Sequence, residues 1–185
     1  MGSYEVAVTA LMDTVTVMLC SENYVTTVFL DITKAFDTVD HWQTILKLSS
    51  LKLKDEVFNW IVDFISRRRH YTIYNSQLSL LKDINCGVIQ GLVLGPLLFV
   101  IAISDLRTIH KYNHCIKYAD DTVIFIPQSK SSSIDDELLH IANWAAINNL
   151  MINSSKTKAM HFYCQKQVAK LMLPNVESLK NFGPI

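Results

Sequence analysis

The sequence predicts an α+β fold in which an antiparallel sheet of the split βαβ kind packs on helices. Three observations carry that prediction. Six short runs rich in Val, Ile, Thr and aromatic residues read as strands. Amphipathic runs of helical period fall between them without the succession of βαβ units that a parallel sheet needs. Two of the strands, within IKYADDTVIF at 116–125, are joined through Tyr118-Ala119-Asp120-Asp121, a tight turn that has no glycine.

In chain order, a weakly amphipathic helix over 6–19 precedes a strand at 24–30 and a helix at 41–49. Asp37 and Asp40 are assigned to the N-terminus of that helix, where unpaired N–H groups favour acids. Val57, Phe58, Ile61, Phe64 and Ile65 mark a further helix that is expected to close at Arg67-Arg68-Arg69, a favourable end for cations. Strands at 71–74 and 80–86 follow, then a helix opening at Pro96, a residue suited to the first helical turn. Strands at 114–118 and 122–126 flank the paired acids, and Pro127 closes the second of them. The serine-rich stretch 129–133 reads as a loop ending in a cap at Ser133, with Asp135, Asp136 and Glu137 in the first turn of a helix running to about 148. The last strand covers 158–163.

With 185 residues, half of them hydrophobic and 18% charged, the chain can build one domain with a real core. Seventeen basic and seventeen acidic residues balance, so any contact with nucleic acid must rest on local patches rather than on net charge. Cys20, Cys86, Cys115 and Cys164 are too far apart for a CxxC zinc site and read as reduced, mostly buried thiols. Asp13 interrupts the N-terminal apolar stretch, which speaks against a signal peptide. The greasiest segment, 92–104, falls short of the ~20 residues that span a bilayer. The expected location is intracellular, in nucleus or cytoplasm, with no membrane partner.

Asp120 and Asp121 raise the chemical question. Two carboxylates ~4 Å apart repel by roughly 4 kcal/mol at an effective dielectric of ~20. A solvated turn is the plain reading of such a pair; a divalent cation held by hard oxygen ligands is the functional one. Asp31 ends the strand at 24–30, and serves there either as a cap or as a further ligand. Gly87, Gly91 and Gly95, in CGVIQGLVLGPLLF, read as a flexible loop feeding a helix close to a ligand. Lys156 lies in the polar turn of NNLMINSSKT, either solvated or set beside an anionic substrate as a general acid.

Taken together, VFLDITKAFDTVDH, GVIQGLVLGPLLF, YADD and NNLMINSSKT resemble, in order and with suitable gaps, the palm domain of reverse transcriptases of the non-LTR (LINE-like) retrotransposon kind. FNWIVDFISRRRHYTIYN also resembles the family's stretch between the first two of these motifs. The resemblance implies an α+β, ferredoxin-like palm over 24–163, a helical remnant of the preceding segment over 1–23 and a tail over 164–185. It implies RNA-directed DNA polymerisation by two-metal phosphoryl transfer, with two Mg²⁺ ions, or Mn²⁺ in their place. Asp31, Asp120 and Asp121 would be the metal ligands and catalytic acids, and Lys156 the proton donor to pyrophosphate. Phe36, Gln90 and Gly91 would contact the nucleotide. The implied partners are an RNA template, a DNA primer, deoxynucleotide triphosphates and the remaining segments of a longer polyprotein.

Two features qualify the resemblance. The family's usual Pro-Gln-Gly-Ser loop is here Ile89-Gln90-Gly91-Leu92, and proline's preset φ is lost with it. The family's basic fingers and its thumb are not recognised in these residues. A chain with little or no activity of its own is therefore expected. The alternatives are a decayed retroelement fragment and a non-catalytic module that binds nucleic acid or protein.

Overall fold

The computed structural model describes residues 3–89, 91, 93–163, 174 and 176. Its elements in chain order are α1 (Ser3–Leu19), β1 (Tyr24–Leu30), α2 (His41–Ser49), α3 (Asp55–Ile65), β2 (Arg68–His70), β3 (Ile73–Tyr74), β4 (Gln77–Leu78), β5 (Lys82–Ile84), α4 (Leu94–Ala102), β6 (His114–Tyr118), β7 (Asp121–Pro127), α5 (Ile134–Ile147) and β8 (Lys158–Tyr163). They fall into two compact units, Met1–Thr33 with Leu106–Ile185, and Lys34–Asp105. No helix among the described residues is long and apolar enough to cross a membrane. The tail assigned to 164–185, with Cys164, lies outside the described residues apart from positions 174 and 176. Against the expectation of mostly buried thiols, Cys20 and Cys86 are exposed and Cys115 is half-buried.

The first unit holds a four-stranded antiparallel sheet in the order β6-β7-β1-β8. Counted in chain order these are the second, third, first and fourth strands, which is the split βαβ arrangement. β1 is central because it can be buried on both sides. Val25, Thr26, Thr27 and Val28 all lie out of water, so neighbours that point to opposite faces are all covered. On one face Val15 and Met18 of α1 pack with Val25, Val123 and Phe125. On the other, Thr26, Val28, Leu30, Ile124 and Ile126 are equally buried. The unbroken apolar run of β7 reflects a strand covered on both faces.

The start of α5 departs from the expectation. Ser133 is in a helical conformation and makes no cap hydrogen bond, because a 3₁₀ turn over Gln128–Ser133 runs directly into α5. Its hydroxyl donates to the carbonyl of Lys130 and accepts from the Asn113 amide. Glu137 likewise does more than complement the helix dipole. It is 0% exposed, and its carboxylate accepts from the backbone N–H groups of Ile109 and His110 and from the Asn113 amide. Three N–H donors compensate its lost hydration and tie the loop before β6 to α5.

The second unit is built on α2, α3 and α4, with Leu48, Ile61, Ile65, Leu98 and Phe99 in its interior. Asp40 caps α2 by accepting from the N–H of Gln43 at 2.9 Å. Lys47 reaches the carbonyl of Ala102 at the end of α4, and Asp105 at 2.6 Å, a cation placed where a helix C-terminus favours one. α4 opens at Leu94, so Pro96 stands inside its first turn rather than at its start. The residues between α3 and α4 form a narrow arm. β2 pairs with β5, β3 pairs with β4, and Asn75 and Ser76 at its tip both have positive φ, as a tight type I′ hairpin requires. The strands are therefore shorter than the expected 71–74 and 80–86. α3 ends at Ile65, so the three arginines are not its C-terminal cap: Arg67 takes a left-handed φ of 55°, and Arg68 and Arg69 enter β2.

Replacing Glu137 with Ala strands the donors it satisfies in a buried place. At about 1–3 kcal/mol for an unsatisfied buried group, the loss should reach roughly 3 kcal/mol. That corresponds to a Tm lower by about 6–12 °C for a chain of this size. Thermal unfolding of Glu137→Ala followed by circular dichroism checks it, and a shift under about 2 °C would remove Glu137 from this role.

Candidate active site

The register of the sheet decides where the predicted acids fall. β1 runs against β7 with Phe29 opposite Val123 and Leu30 opposite Thr122. Asp31 follows the last paired residue of β1 and Asp121 opens β7, so this register brings both acids to the same end of the sheet, near enough for the Asp31 charge to act on Asp121. β6 meets β7 at Tyr118 opposite Asp121, which leaves Ala119 and Asp120 as a two-residue hairpin turn. Ala119 has a φ of 50°, while Asp120 is not in the left-handed region. Positive φ at the first central position alone is the type II′ pattern, normally filled by glycine. An alanine there costs about 1–2 kcal/mol, a strain held by the strands on either side. The turn keeps Asp120 exposed at the tip, beside Asp121.

Asp31 is anchored through its backbone. Its N–H donates to the Thr157 hydroxyl at 3.2 Å, and its carbonyl accepts from the N–H of Asn153 at 2.8 Å. Ile32 bridges to Ile152, and the N–H of Thr33 donates to the carbonyl of Met151. The polar turn 153–157 thus straps the end of β1. Lys156 stands exposed in that strap, its N–H bonded to Asn153. Sequence reasoning selected Lys156 for its charge and passed over Thr157 and Asn153. Their signal was present, since Asn, Ser and Thr in a turn bond to nearby backbone, but no pattern in one sequence names Asp31 as their partner.

The acids sense one another. Asp121 has its carboxyl raised above the ordinary aspartate value, first by burial, then by the charge of Asp120, then by that of Asp31. Asp121 itself is exposed, and the partial loss of water that raises its carboxyl comes from one side only. A cavity of about 240 Å³ abuts Asp121 and is walled by Val8 and Leu11 of α1 and by Phe29, Ile116 and Val123 of the sheet. Apolar walls on one side and two carboxylates on the other both disfavour its negative form. Among the described residues no three Asp, Glu, His or Cys side chains are already drawn into a metal cage. The donor set is nevertheless of the right kind: hard oxygen ligands sharing a field that an added cation would relieve.

The remaining predicted residues belong to the second unit. Phe36 stacks on Phe99 with ring centroids 4.8 Å apart. Its carbonyl accepts from the N–H of Val88, and that of Val39 accepts from Gly87. The buried imidazole of His41 bonds to the carbonyl of Gly87 at 2.8 Å. The loop carrying the glycines is thereby laced to the segment after β1, and Phe36 lies at its start. Gly87 has a φ of 87°, and a Cβ there would press on the carbonyl of Asp37, so no other residue fits. Gly91 is likewise left-handed, at 90°. Gln90 lies outside the described residues.

The comparisons with known proteins agree with this geometry. The family model described as reverse transcriptase (RNA-dependent DNA polymerase) matches residues 8–183. The chain is 28% identical, over 88% of its length, to the probable RNA-directed DNA polymerase from transposon X-element of Drosophila melanogaster, of which it spans 19%. It is 30% identical, over 77% of its length, to the RNA-directed DNA polymerase from mobile element jockey of the same fly, of which it spans 17%. It therefore covers less than a fifth of these curated relatives. Among solved structures, a Candida tropicalis telomerase in complex with a fragment of telomeric RNA superimposes with a TM-score of 0.65 at 14% identity, covering 86% of this chain and 29% of that one. An apo telomerase from the same yeast, truncated from its C-terminal domain, gives 0.64, with 90% and 36% covered. At that identity the likeness speaks for the fold, an α+β polymerase palm. With the family model matched from end to end of the described sheet, the chain belongs to the reverse transcriptase (RNA-dependent DNA polymerase) family, among the non-LTR mobile elements.

Proposed function

We propose that this chain is the palm of an RNA-directed DNA polymerase, adding deoxynucleotides to a DNA primer on an RNA template. The observation that carries this reading is the gathering of Asp31 and Asp121 at one end of the sheet, with Asp120 in the adjoining turn and the charges of Asp31 and Asp120 both acting on Asp121. Such a cluster is unfavourable by itself and becomes favourable only with a cation.

In this reading Asp31, Asp120 and Asp121 would hold two Mg²⁺ ions, with Mn²⁺ a workable substitute, and the ions would supply positive charge for an in-line phosphoryl transfer. The chain's own residues do the rest. The strap over 153–157 fixes the backbone of Asp31, and the strands hold Asp120 at the tip without further ordering. Phe36, braced by Phe99, offers a rigid aromatic face to the nucleotide sugar. By the family resemblance, Gln90 and Gly91 would contact the nucleotide and template. Lys156, exposed in its turn, donates a proton to the departing pyrophosphate. Template, primer and any further segments of a longer polyprotein are the partners this chemistry needs.

A second reading is favoured by the loop itself. Leu92 stands where the family usually carries a small hydroxyl residue, and Ile89 where it carries proline. A palm with that loop binds metal and nucleic acid while turning over poorly.

Two measurements test these readings. Mg²⁺ at about ten times its Kd should stabilise the fold by about 1.4 kcal/mol, a rise in Tm of roughly 3–5 °C. Asp31→Asn and Asp120→Asn should each remove most of that rise; a rise that survives both would place the metal elsewhere. Primer extension on an RNA template should be weak or absent for the isolated chain, and any activity should fall at least about 100-fold in Asp120→Asn. Activity that persists in the variant would overturn the assignment of this acid.

A further inference from the structure

The glycine loop hangs from a buried imidazole. His41 opens α2, and only 6% of it meets water. A carbonyl can only accept, so the 2.8 Å contact between Nε2 and the Gly87 carbonyl requires the proton on Nε2. Backbone bonds bring the two segments together. The N–H of His41 donates to the carbonyl of Asn85, Asp40 bridges to Cys86, Gly87 donates to Val39 and Val88 to Phe36. At Gly87 the positive φ turns the chain, and its carbonyl goes to the imidazole. A buried histidine serving α2 alone would bond within the helix or its cap. His41 instead bonds to a residue 46 positions away, where the loop departs.

Beyond Gly87 the loop opens to water. Nothing stands within 4 Å of the place a Cβ would take on Gly91, and Val93 is 96% exposed. A second fixed point is Ile89, whose carbonyl lies so close to Gly95 of α4 that a Cβ there would strike it. The residues assigned to the nucleotide, Gln90 and Gly91, follow directly in the chain. An exposed loop takes its position from the points at which a rigid scaffold holds it, and His41 makes the first of them. We propose that His41 is a positioning residue for nucleotide binding: by holding the Gly87 carbonyl it sets the loop in the shape that receives a deoxynucleoside triphosphate. The inference rests on the polymerase reading of this loop and adds to it a residue that touches no substrate.

The test is the binding of mant-dATP, a fluorescent nucleotide, to the whole chain with Mg²⁺ present, followed by anisotropy. It needs no turnover, so weak polymerase activity does not obscure it. His41→Gln places an amide N–H about where Nε2 stands, and His41→Asn stops short of it. A lost hydrogen bond that leaves a buried carbonyl unsatisfied corresponds to about a tenfold change. His41→Asn should therefore bind mant-dATP about tenfold more weakly than the wild type, while His41→Gln stays within about threefold. Both should keep the Mg²⁺-dependent rise in Tm, since neither alters an acid. Circular dichroism at the binding temperature controls for folding. Should His41→Asn not fold, the wild type carries the test: its His41 Nε2–H resonance should shift on adding dATP, and an unmoved resonance would overturn the proposal. Equal affinity in wild type and His41→Asn, even with a lower Tm, would mark a purely structural histidine and leave the polymerase reading standing. An equal loss in His41→Asn and His41→Gln would also overturn the inference, because the bond would not be what matters. No binding of mant-dATP by the wild type would overturn both.

Discussion

Everything proposed for this chain depends on the register of β1 against β7. Phe29 opposite Val123 and Leu30 opposite Thr122 bring Asp31, the next residue, to the end of the sheet where Asp121 opens β7. A slip of one residue would turn every side chain of a strand to the other face and separate the acids. The register is held because both faces of β1 are buried: a slip would exchange Val25 and Phe29, on the side of α1, for Thr26 and Val28, on the other. The hydrophobic core thus fixes the position of the charges at its edge.

The site also concentrates what the rest of the unit tolerates. Asp121 carries a carboxyl pushed upward by an apolar wall and two neighbouring acids. Ala119 takes a backbone conformation that glycine would adopt without strain. Both costs are local, and both fall where a binding site is expected to store them. They are offset by a sheet whose central strands are covered on two sides, and by Glu137, whose buried carboxylate binds the approach to β6 into the same unit.

Legibility in the sequence followed the range of the interactions. The strands Tyr24–Leu30, His114–Tyr118 and Lys158–Tyr163 were legible in full, since β-branched and aromatic runs bounded by turn residues carry their own signal. So were the helix His41–Ser49 and its cap at Asp40. The capping assigned to Ser133 failed because a 3₁₀ turn upstream leaves no helix end there, and no local preference announces it. Arg67 to Arg69 were misplaced because helix-end statistics favour cations, whereas Arg67 bends the chain and Arg68 and Arg69 enter a strand set by pairing with Lys82 to Ile84. In the candidate site the acids were legible as residues, but their alignment was not. Alignment comes from a register between strands distant in the chain, and so do the contacts of Asp31 with Thr157 and Asn153.

The most direct measurement is the titration of the Asp121 side-chain carboxyl by carbon-detected NMR, in the metal-free wild type and in Asp31→Asn. If the two acids share one site, Asp121 titrates above an ordinary aspartate and moves back toward it when the Asp31 charge is removed. An Asp121 that titrates at the ordinary value, or that is unmoved by Asp31→Asn, would contradict the alignment on which the rest of this account stands.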